Sequence, residues 1–255
     1  MIRLARTALP AAATALALLA APAQAFDLNS MSEAERAAFG EQVRAYLLEN
    51  PEVIIEAVNV LEQRQAAAEA QEDKALVTAN MDELVNDGYS WVGGNPDGDI
   101  TLVEFMDYRC GYCRKAAPEV AKLLKEDGNI RFVVKEFPIL GEASVISSCF
   151  AIATKQVAGG DAYKLVHDAL MQFGGEPGEK NLRRIAEGLD LDADAILEQM
   201  ESDEVTQEIA QTRALAQRMR LTGTPAFVLG GEVLRGFLPA DQLAIIAAEQ
   251  RQEQS

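Results

Sequence analysis

Residues 100–113 read ITLVEFMDYRCGYC, and this stretch indicates the fold. Its first half, residues 100–106, is a nearly continuous apolar run with the length of one buried β-strand. A helix is predicted over about residues 111–126. Cys110 and Cys113 therefore lie where a buried strand passes into a helix, with two residues between them.

The two cysteines predict redox chemistry. Only a thiolate is a nucleophile, and a helix N-terminus stabilises negative charge. We expect Cys110 to be the exposed attacking sulfur, and Cys113, one turn into the helix, to lie deeper and resolve the mixed disulfide. An inert structural disulfide is one alternative. Half of a zinc site is another, but it needs two further ligands and the chain offers only Cys149 and His167, so no metal is expected.

Cys149 and His167 are each interpreted as structural residues. Cys149 is expected to be buried and inert on a helix, with a redox or partner-linking role as the alternative. His167 is expected to pack at a helix surface.

The segments around the cysteines predict an α/β architecture around a small mixed sheet. Another strand is predicted at residues 130–137. The region from about 141 to 221 is helical and is broken at glycines. A β-α-β start and a β-β-α finish are thus separated by a helical insert. The outer elements are a strand at 90–92, a hairpin at 226–229 and 232–234, and a helix from about Pro239.

Thr224-Pro225 opens the first strand of that hairpin. An X-Pro bond there is predicted to be cis, which would place the Thr224 backbone against the cysteine pair to receive a substrate strand. The alternative is an ordinary trans proline at the start of a strand.

Two charges interrupt the predicted buried strands. Glu104 lies within residues 102–105 and Lys135 within residues 132–135. A lone buried charge is costly, so an ion pair beneath the cysteines, able to move protons during exchange, is the favoured interpretation. The alternative is that one or both side chains reach solvent at a strand end.

The N-terminus is typical of an export signal. Arg3 and Arg6 precede an apolar run over residues 8–21, and Ala23-Gln24-Ala25 is a cleavage pattern. The run is short for a membrane span, although a retained anchor is the alternative. Residues 1–25 are thus interpreted as a signal peptide. The net charge of −17 argues against nucleic acid and anionic membranes as partners.

Residues 31–86 are predicted to be helical, with a capping box at Ser32 and Glu35 and a second start at Asn50-Pro51. The apolar positions of this segment have no evident partner within it. We expect them to pack on the following domain or on other copies of the chain.

From about Ser90 to the C-terminus the chain resembles the DsbA-type branch of the thioredoxin superfamily. The resemblance rests on the Cys110-Gly111-Tyr112-Cys113 motif, on Thr224-Pro225 and on the helical insert; Pro118 matches a kink proline of the active-site helix. Within this branch, the Gly111-Tyr112 dipeptide and the helical N-terminal extension are most similar to the ScsC (suppressor of copper sensitivity) proteins.

The resemblance implies a thioredoxin-like fold with an inserted helical domain at about 141–221, preceded by a helical extension. The implied domains are an extension at 26–86 and a DsbA domain at 87–255. It implies a periplasmic protein that makes, breaks or reshuffles disulfides in exported proteins, with a membrane redox partner and no cofactor. Some ScsC proteins resemble trimeric isomerases, so a homotrimer through the extension is expected. Glu104 and Lys135 fall where the family has its buried acid and base.

The direction of the chemistry stays open. DsbA has Pro-His between its cysteines, and Tyr112 cannot supply the hydrogen bonds of an imidazole. A less oxidising pair, suited to isomerisation, is therefore expected. The alternatives are a monomeric dithiol oxidase, a Cu(I)-binding copper-tolerance protein, since two thiolates suit Cu(I), and a holdase-like binding protein.

Overall fold

The computed structural model describes residues 30–253, so the predicted signal peptide lies outside the described residues. This part of the chain divides into two compact units between Leu61 and Glu62. None of the helices in residues 30–253 has the length and apolarity required to cross a membrane.

The N-terminal region consists of helices α1 (Glu33–Glu49), α2 (Glu52–Ala79) and α3 (Met81–Val85). The predicted capping box starts α1: the Glu35 N–H donates to Ser32 Oγ, and the Ser32 N–H donates to the Glu35 carboxylate at 2.8 Å. We call residues 30–61 the arm. None of the α1 residues is buried, and large apolar side chains of the arm are exposed: Phe39, Val43, Tyr46, Leu48, Ile54, Ile55, Val58, Val60 and Leu61.

The second unit contains a five-stranded sheet in the order β1-β3-β2-β4-β5. Its central strand β2 pairs parallel with β3 and antiparallel with β4, and the outer pairs are antiparallel. This is the predicted mixed sheet. The strands are β1 (Trp91–Gly94), β2 (Ile100–Met106), β3 (Ile130–Glu136), β4 (Ala226–Leu229) and β5 (Glu232–Arg235).

The predicted helical insert lies between β3 and β4, and its longest helix breaks at Gly159. Gly159 has φ +86°, a conformation that glycine adopts without steric cost. The helices of the second unit after α3 are α4 (Gly111–Asp127), α5 (Glu142–Gln172), α6 (Glu179–Gly188), α7 (Ala193–Gln199), α8 (Asp203–Arg218) and α9 (Ala240–Glu253).

Each face of the sheet has its own core. Alternate residues of a strand point to opposite faces, so Leu102 and Met106 pack with Cys113 on one face. On the other face, Val103 and Phe105 pack against Leu215 and Met219 of the α8 region, and also against Val77 of α2 and Leu84 of α3.

The residues from Glu62 to the end of α3 therefore belong to the packing of the second unit. Val77 and Leu84 are almost fully buried, and each contributes roughly 1.5–3 kcal/mol through that burial. Ion pairs add to the attachment: Arg235 donates two hydrogen bonds to the Asp73 carboxylate, at 2.6 and 2.8 Å. The predicted extension at 26–86 thus has a C-terminal part that packs on the sheet.

Candidate active site

The cysteine pair lies at the start of α4, directly after the loop that follows β2. Cys110 is the N-cap residue of α4, and Cys113 lies in its first turn. The Cys110 side of the pair is the more accessible, with 7% of its surface exposed against 0% for Cys113. Cys113 therefore lies deeper than Cys110, as expected, although Cys110 is more buried than the sequence predicts.

A buried aspartate shapes the loop before the pair. The Asp107 carboxylate accepts hydrogen bonds from the N–H groups of Arg109 (2.7 Å), Ile139 (2.8 Å) and Leu140 (3.1 Å). It thereby joins the active-site loop to the segment after β3. Sequence reasoning missed Asp107, although an acidic residue directly after a buried strand is a recognisable loop signal.

Thr224-Pro225 lies against Cys110, as the sequence predicts. The Thr224–Pro225 peptide bond is cis, and the Cys110 thiol donates a hydrogen bond to the Thr224 carbonyl at 3.1 Å. The backbone that is expected to receive a substrate strand therefore lies in contact with the candidate attacking sulfur.

Cys113 lies in surroundings that oppose its ionisation. Burial raises the pKa of the Cys113 thiol well above its usual value, and the negative charges of Glu104 and Cys110 add to this increase. Cys113 therefore stays protonated at neutral pH and needs a proton acceptor before it can act as a nucleophile.

The predicted ion pair between Glu104 and Lys135 is wrong. In the β2–β3 register Glu104 lies opposite Val134, and Lys135 lies opposite Phe105. Glu104 and Lys135 thus point to opposite faces of the sheet. Glu104 lies on the face of the cysteines and is 3% exposed, and its Oε1 has no hydrogen-bond partner among residues 30–253.

Lys135 has different partners, on the face away from the cysteines. Its ammonium forms an ion pair with Asp87 and donates a hydrogen bond to the Glu83 carbonyl at 2.7 Å. The prediction that Lys135 is buried and paired is correct, but the partner comes from the segment after α3. No feature of β2 or β3 in the sequence points to Asp87.

A second buried carboxylate, Glu136, lies on the cysteine face. It accepts hydrogen bonds from the hydroxyls of Tyr108 (2.7 Å), Tyr163 (2.6 Å) and Ser148 (2.7 Å). Burial raises the pKa of Glu136 to about 7, although the three hydroxyls act to lower it. These contacts join β3 and the active-site loop to α5.

His167 takes part in this network and is buried, which corrects the expectation of a surface position. It is 7% exposed, its Nδ1 lies 3.1 Å from the Tyr108 hydroxyl, and its ring stacks on Tyr163. Burial lowers the pKa of His167 to about 4, so the ring is neutral at pH 7.

Cations flank the cysteines and join the active-site loop to the segment after α5. Arg109 donates to the Gly175 carbonyl at 2.8 Å, and Arg114 donates to the Phe173 carbonyl at 2.7 Å. Within the motif, the exposed Tyr112 ring lies 5.2 Å from the Lys115 ammonium. An added Cβ at Gly111 would meet nothing within 4 Å, so there is space beside the motif at this position.

Over residues 30–253 there is no group of three or more His, Cys, Asp or Glu side chains placed to hold a metal ion. The Cys110 and Cys113 thiols form a two-sulfur set, which is of the soft type that Cu(I) prefers. Cys149 is half-buried, and burial raises the pKa of its thiol to about 11.

Replacing Glu104 by glutamine should change how stability depends on pH. Burial, with the charge of Glu136, raises the pKa of Glu104 to about 8 in the folded protein. Unfolding therefore releases a proton between the ordinary glutamate pKa and pH 8, and wild-type stability falls as pH rises through this window. The Glu104 share of that slope is at most ~1.4 kcal/mol per pH unit. We expect Glu104→Gln to be more stable than wild type near pH 8 and similar near pH 5.

Urea unfolding of the reduced proteins across this window measures the difference. Glu126→Gln, at an exposed position of α4, is the matched control and should follow wild type. Parallel curves for wild type and Glu104→Gln would mean that Glu104 is ionised in the folded protein throughout the range.

Comparisons with known families concern the fold and the domains of the chain. Residues 101–247 match the DSBA-like thioredoxin domain, and residues 35–68 match the Copper resistance protein ScsC N-terminal domain. Among curated proteins, the chain is 32% identical over 140 residues to Na(+)/H(+) antiporter NhaA 3 of Salinispora tropica. That match covers 55% of this chain and 21% of the antiporter, so the chain spans about a fifth of the curated relatives it matches.

Solved structures match over much more of their length. A thioredoxin-like oxidoreductase from Silicibacter pomeroyi is 42% identical, with a TM-score of 0.62, over 68% of this chain and 97% of that one. Proteus mirabilis ScsC in a transitional conformation is 26% identical, with a TM-score of 0.63, over 88% and 99%. BcfH of Salmonella enterica Typhimurium is 29% identical, with a TM-score of 0.70, over 86% and 96%. The chain therefore belongs to the DSBA-like thioredoxin domain family, and residues 35–68 are similar to the ScsC N-terminal domain.

Proposed function

We propose that this chain is a periplasmic thiol–disulfide oxidoreductase that reduces and isomerises disulfides in exported proteins. The observation that carries the proposal is the contact between Cys110 and Thr224. The sulfur lies at the N-terminus of α4 and 3.1 Å from the Thr224 carbonyl, where an extended client segment can pair with the backbone before the hairpin. Residues 1–25 are proposed to act as a cleaved export signal.

The proposed reaction has two exchange steps. The Cys110 thiolate attacks one sulfur of a client disulfide, and the other client sulfur leaves as a thiolate. Cys113 then attacks Cys110, which releases the client and leaves a disulfide within the motif. Because Cys113 is buried and protonated, we propose Glu104, on the same face of the sheet, as the acceptor of its proton.

The arm favours isomerisation over oxidation as the reaction of this protein. Several large apolar side chains of the arm are exposed, and exposed apolar surface of this kind is typical of an interface. We propose that the arms of three copies associate and hold several cysteine pairs around one client. A membrane redox partner would keep Cys110 and Cys113 reduced.

The test is reactivation of scrambled ribonuclease by residues 26–255 and by residues 62–255. The shorter protein begins at the boundary between the two units, so it retains Val77 and Leu84 in the core. We expect the longer protein to assemble and to reactivate the substrate. The shorter one should be monomeric and reduce simple disulfides at a similar rate per cysteine pair, but reactivate scrambled ribonuclease several-fold more slowly.

Point variants show whether assembly depends on the apolar side chains of the arm or only on its presence. Ile54→Glu with Val58→Glu places charges on the exposed apolar positions of α2 and should reproduce the truncation, whereas Gln63→Glu with Gln65→Glu should not. Oxidation of reduced substrate by both lengths without isomerisation would instead identify a dithiol oxidase whose arm serves another purpose.

A further inference from the structure

The surface around the cysteine motif is cationic, although the chain as a whole is strongly acidic. The sequence has 40 Asp and Glu residues against 23 Lys and Arg residues. Arg109 directly precedes residues 110–113, and Arg114 and Lys115 directly follow them. The first turn of α4 has no acidic residue. A client that approaches Cys110 therefore meets positive charge, and such a local charge selects between partners by electrostatic complementarity.

Arg109 is held in place and is still partly open to solvent. Its Nη1 donates a hydrogen bond to the Gly175 carbonyl at 2.8 Å, and its side chain is 24% exposed. A guanidinium has five N–H donors in a planar arrangement that matches a carboxylate, and the bond to Gly175 uses one of them. Because this bond already orders the side chain, Arg109 can bind a carboxylate at a small cost in conformational entropy.

A carboxylate of the chain itself lies beside this guanidinium. Glu176 Oε1 is 3.6 Å from Arg109 Nη2, which is an ion-pair distance but is too long for a hydrogen bond. The Glu176 side chain is 82% exposed, so solvent screens the pair. Arg109 thus attracts a carboxylate at this position and holds it weakly. A client carboxylate that forms direct hydrogen bonds can take the place of Glu176.

The two cations after the motif have different surroundings. Arg114 is half-buried and donates to the carbonyls of Tyr108 and Phe173, at 2.9 and 2.7 Å, so it holds the loops together. Lys115 is exposed, and its ammonium lies 5.2 Å from the centre of the Tyr112 ring. Lys115 therefore adds positive charge on the exposed side of the motif, while Arg109 is the cation directly beside Cys110.

We propose that Arg109 binds a client carboxylate beside the client disulfide, in place of Glu176. The protein then acts preferentially on cysteines that have Asp or Glu as neighbours, and Lys115 strengthens the preference through its charge. This inference rests on the proposed function, because it names the class of client that Cys110 attacks. The exchange itself is unchanged: the Cys110 thiolate forms a bond to one client sulfur, and the other client sulfur leaves with the electron pair as a thiolate.

Two matched peptides test the preference. Each contains a fluorescence-quenched disulfide, and the residue beside one cysteine is Asp in the first peptide and Asn in the second. The measurement is kcat/KM for reduction by residues 26–255 under excess reductant at low ionic strength. Each value is divided by the rate at which 2-mercaptoethanol reduces the same peptide, because a carboxylate beside a disulfide slows attack by any thiolate. We expect a normalised Asp-to-Asn ratio of about 3 to 5, which falls towards one in about 0.5 M NaCl.

Variants change this ratio in opposite directions. Arg109→Gln should bring it close to one, Arg109→Lys should keep part of it, and Glu176→Gln should raise it because the competing carboxylate is gone. Lys125→Gln, at an exposed position in the last turn of α4, is the matched control and should keep the wild-type ratio. The ratio is the readout because a loop that moves when the bond between Arg109 and Gly175 is lost would slow both peptides alike.

The outcomes distinguish this inference from the proposed function. A wild-type ratio close to one at low salt, or a ratio that Arg109→Gln leaves unchanged, overturns the preference while catalysed reduction of both peptides stands. A ratio that is unchanged or lower in Glu176→Gln overturns the displacement of Glu176 by the client. Reduction of neither peptide above the uncatalysed rate would overturn the proposed function, and the inference with it.

Discussion

Replacing Cys110 by serine is expected to reduce thiol–disulfide exchange to the uncatalysed rate. A hydroxyl does not form a disulfide, and the remaining Cys113 is fully buried and held protonated by its surroundings, so it cannot reach a client disulfide. Reduction of a fluorescent peptide disulfide under excess reductant measures the loss.

Replacing the second cysteine, Cys113, distinguishes the attacking role of Cys110 from the resolving role of Cys113. Cys113→Ser should keep the first attack but lose resolution, so that mixed disulfides between Cys110 and clients accumulate and are visible on non-reducing gels. Cys149→Ser is the matched control, because Cys149 lies on α5 outside the motif and burial raises the pKa of its thiol to about 11. Activity that survives Cys110→Ser but is lost in Cys149→Ser would contradict the assignment.

The local elements could be predicted because their signals are local. A few neighbouring residues are sufficient to predict each of three features: the buried strand β2 from its apolar run, the start of α1 from the capping box of Ser32 and Glu35, and the break in α5 from its glycine. The contact of Thr224 with Cys110 is long-range, but a proline opening a strand and a cysteine pair opening a helix were sufficient signals in combination.

The pairing of charges could not be predicted in the same way. Whether Glu104 and Lys135 share a face depends on the register of β2 against β3, and a shift of one residue moves a side chain to the opposite face. Neither strand carries that register in its own sequence. Asp87 is distant from Lys135 along the chain, so the real partner emerges only when α3 packs on the sheet.

Glu136 and His167 illustrate a related limit. Glu136 follows directly after Lys135 in a buried strand, which is a signal that the sequence does contain. Its three hydroxyl partners, however, come from the active-site loop and from two turns of α5, which only the tertiary fold brings together. His167 is likewise buried by Tyr163 and Tyr108, which no periodicity of α5 identifies.

The ion pair of Lys135 is expected to have the largest effect on stability, and Asp87→Ala should destabilise the protein by roughly 3–5 kcal/mol. Lys135 is fully buried, and Asp87 is its ion-pair partner. Removing Asp87 would leave the ammonium with the Glu83 carbonyl, the face of the Tyr89 ring, 5.5 Å away, and the negative charge of Glu208. Urea unfolding measures the loss. Asp194→Ala, which breaks the exposed pair with Arg183, should destabilise the protein far less.

A double-mutant cycle shows whether Asp87→Ala destabilises the protein because it leaves the buried Lys135 ammonium without an ion-pair partner. Lys135→Met replaces the ammonium by an apolar group of similar length, so Asp87→Ala should cost much less in that background than in wild type. Because Lys135 lies on the face away from Cys113, the folded Lys135→Met variant should also keep its exchange rate. Equal costs of Asp87→Ala in both backgrounds would show that Asp87 acts through its hydrogen bonds with Ser90 rather than through Lys135. Loss of exchange in folded Lys135→Met would show that the lysine acts on the cysteines across the sheet.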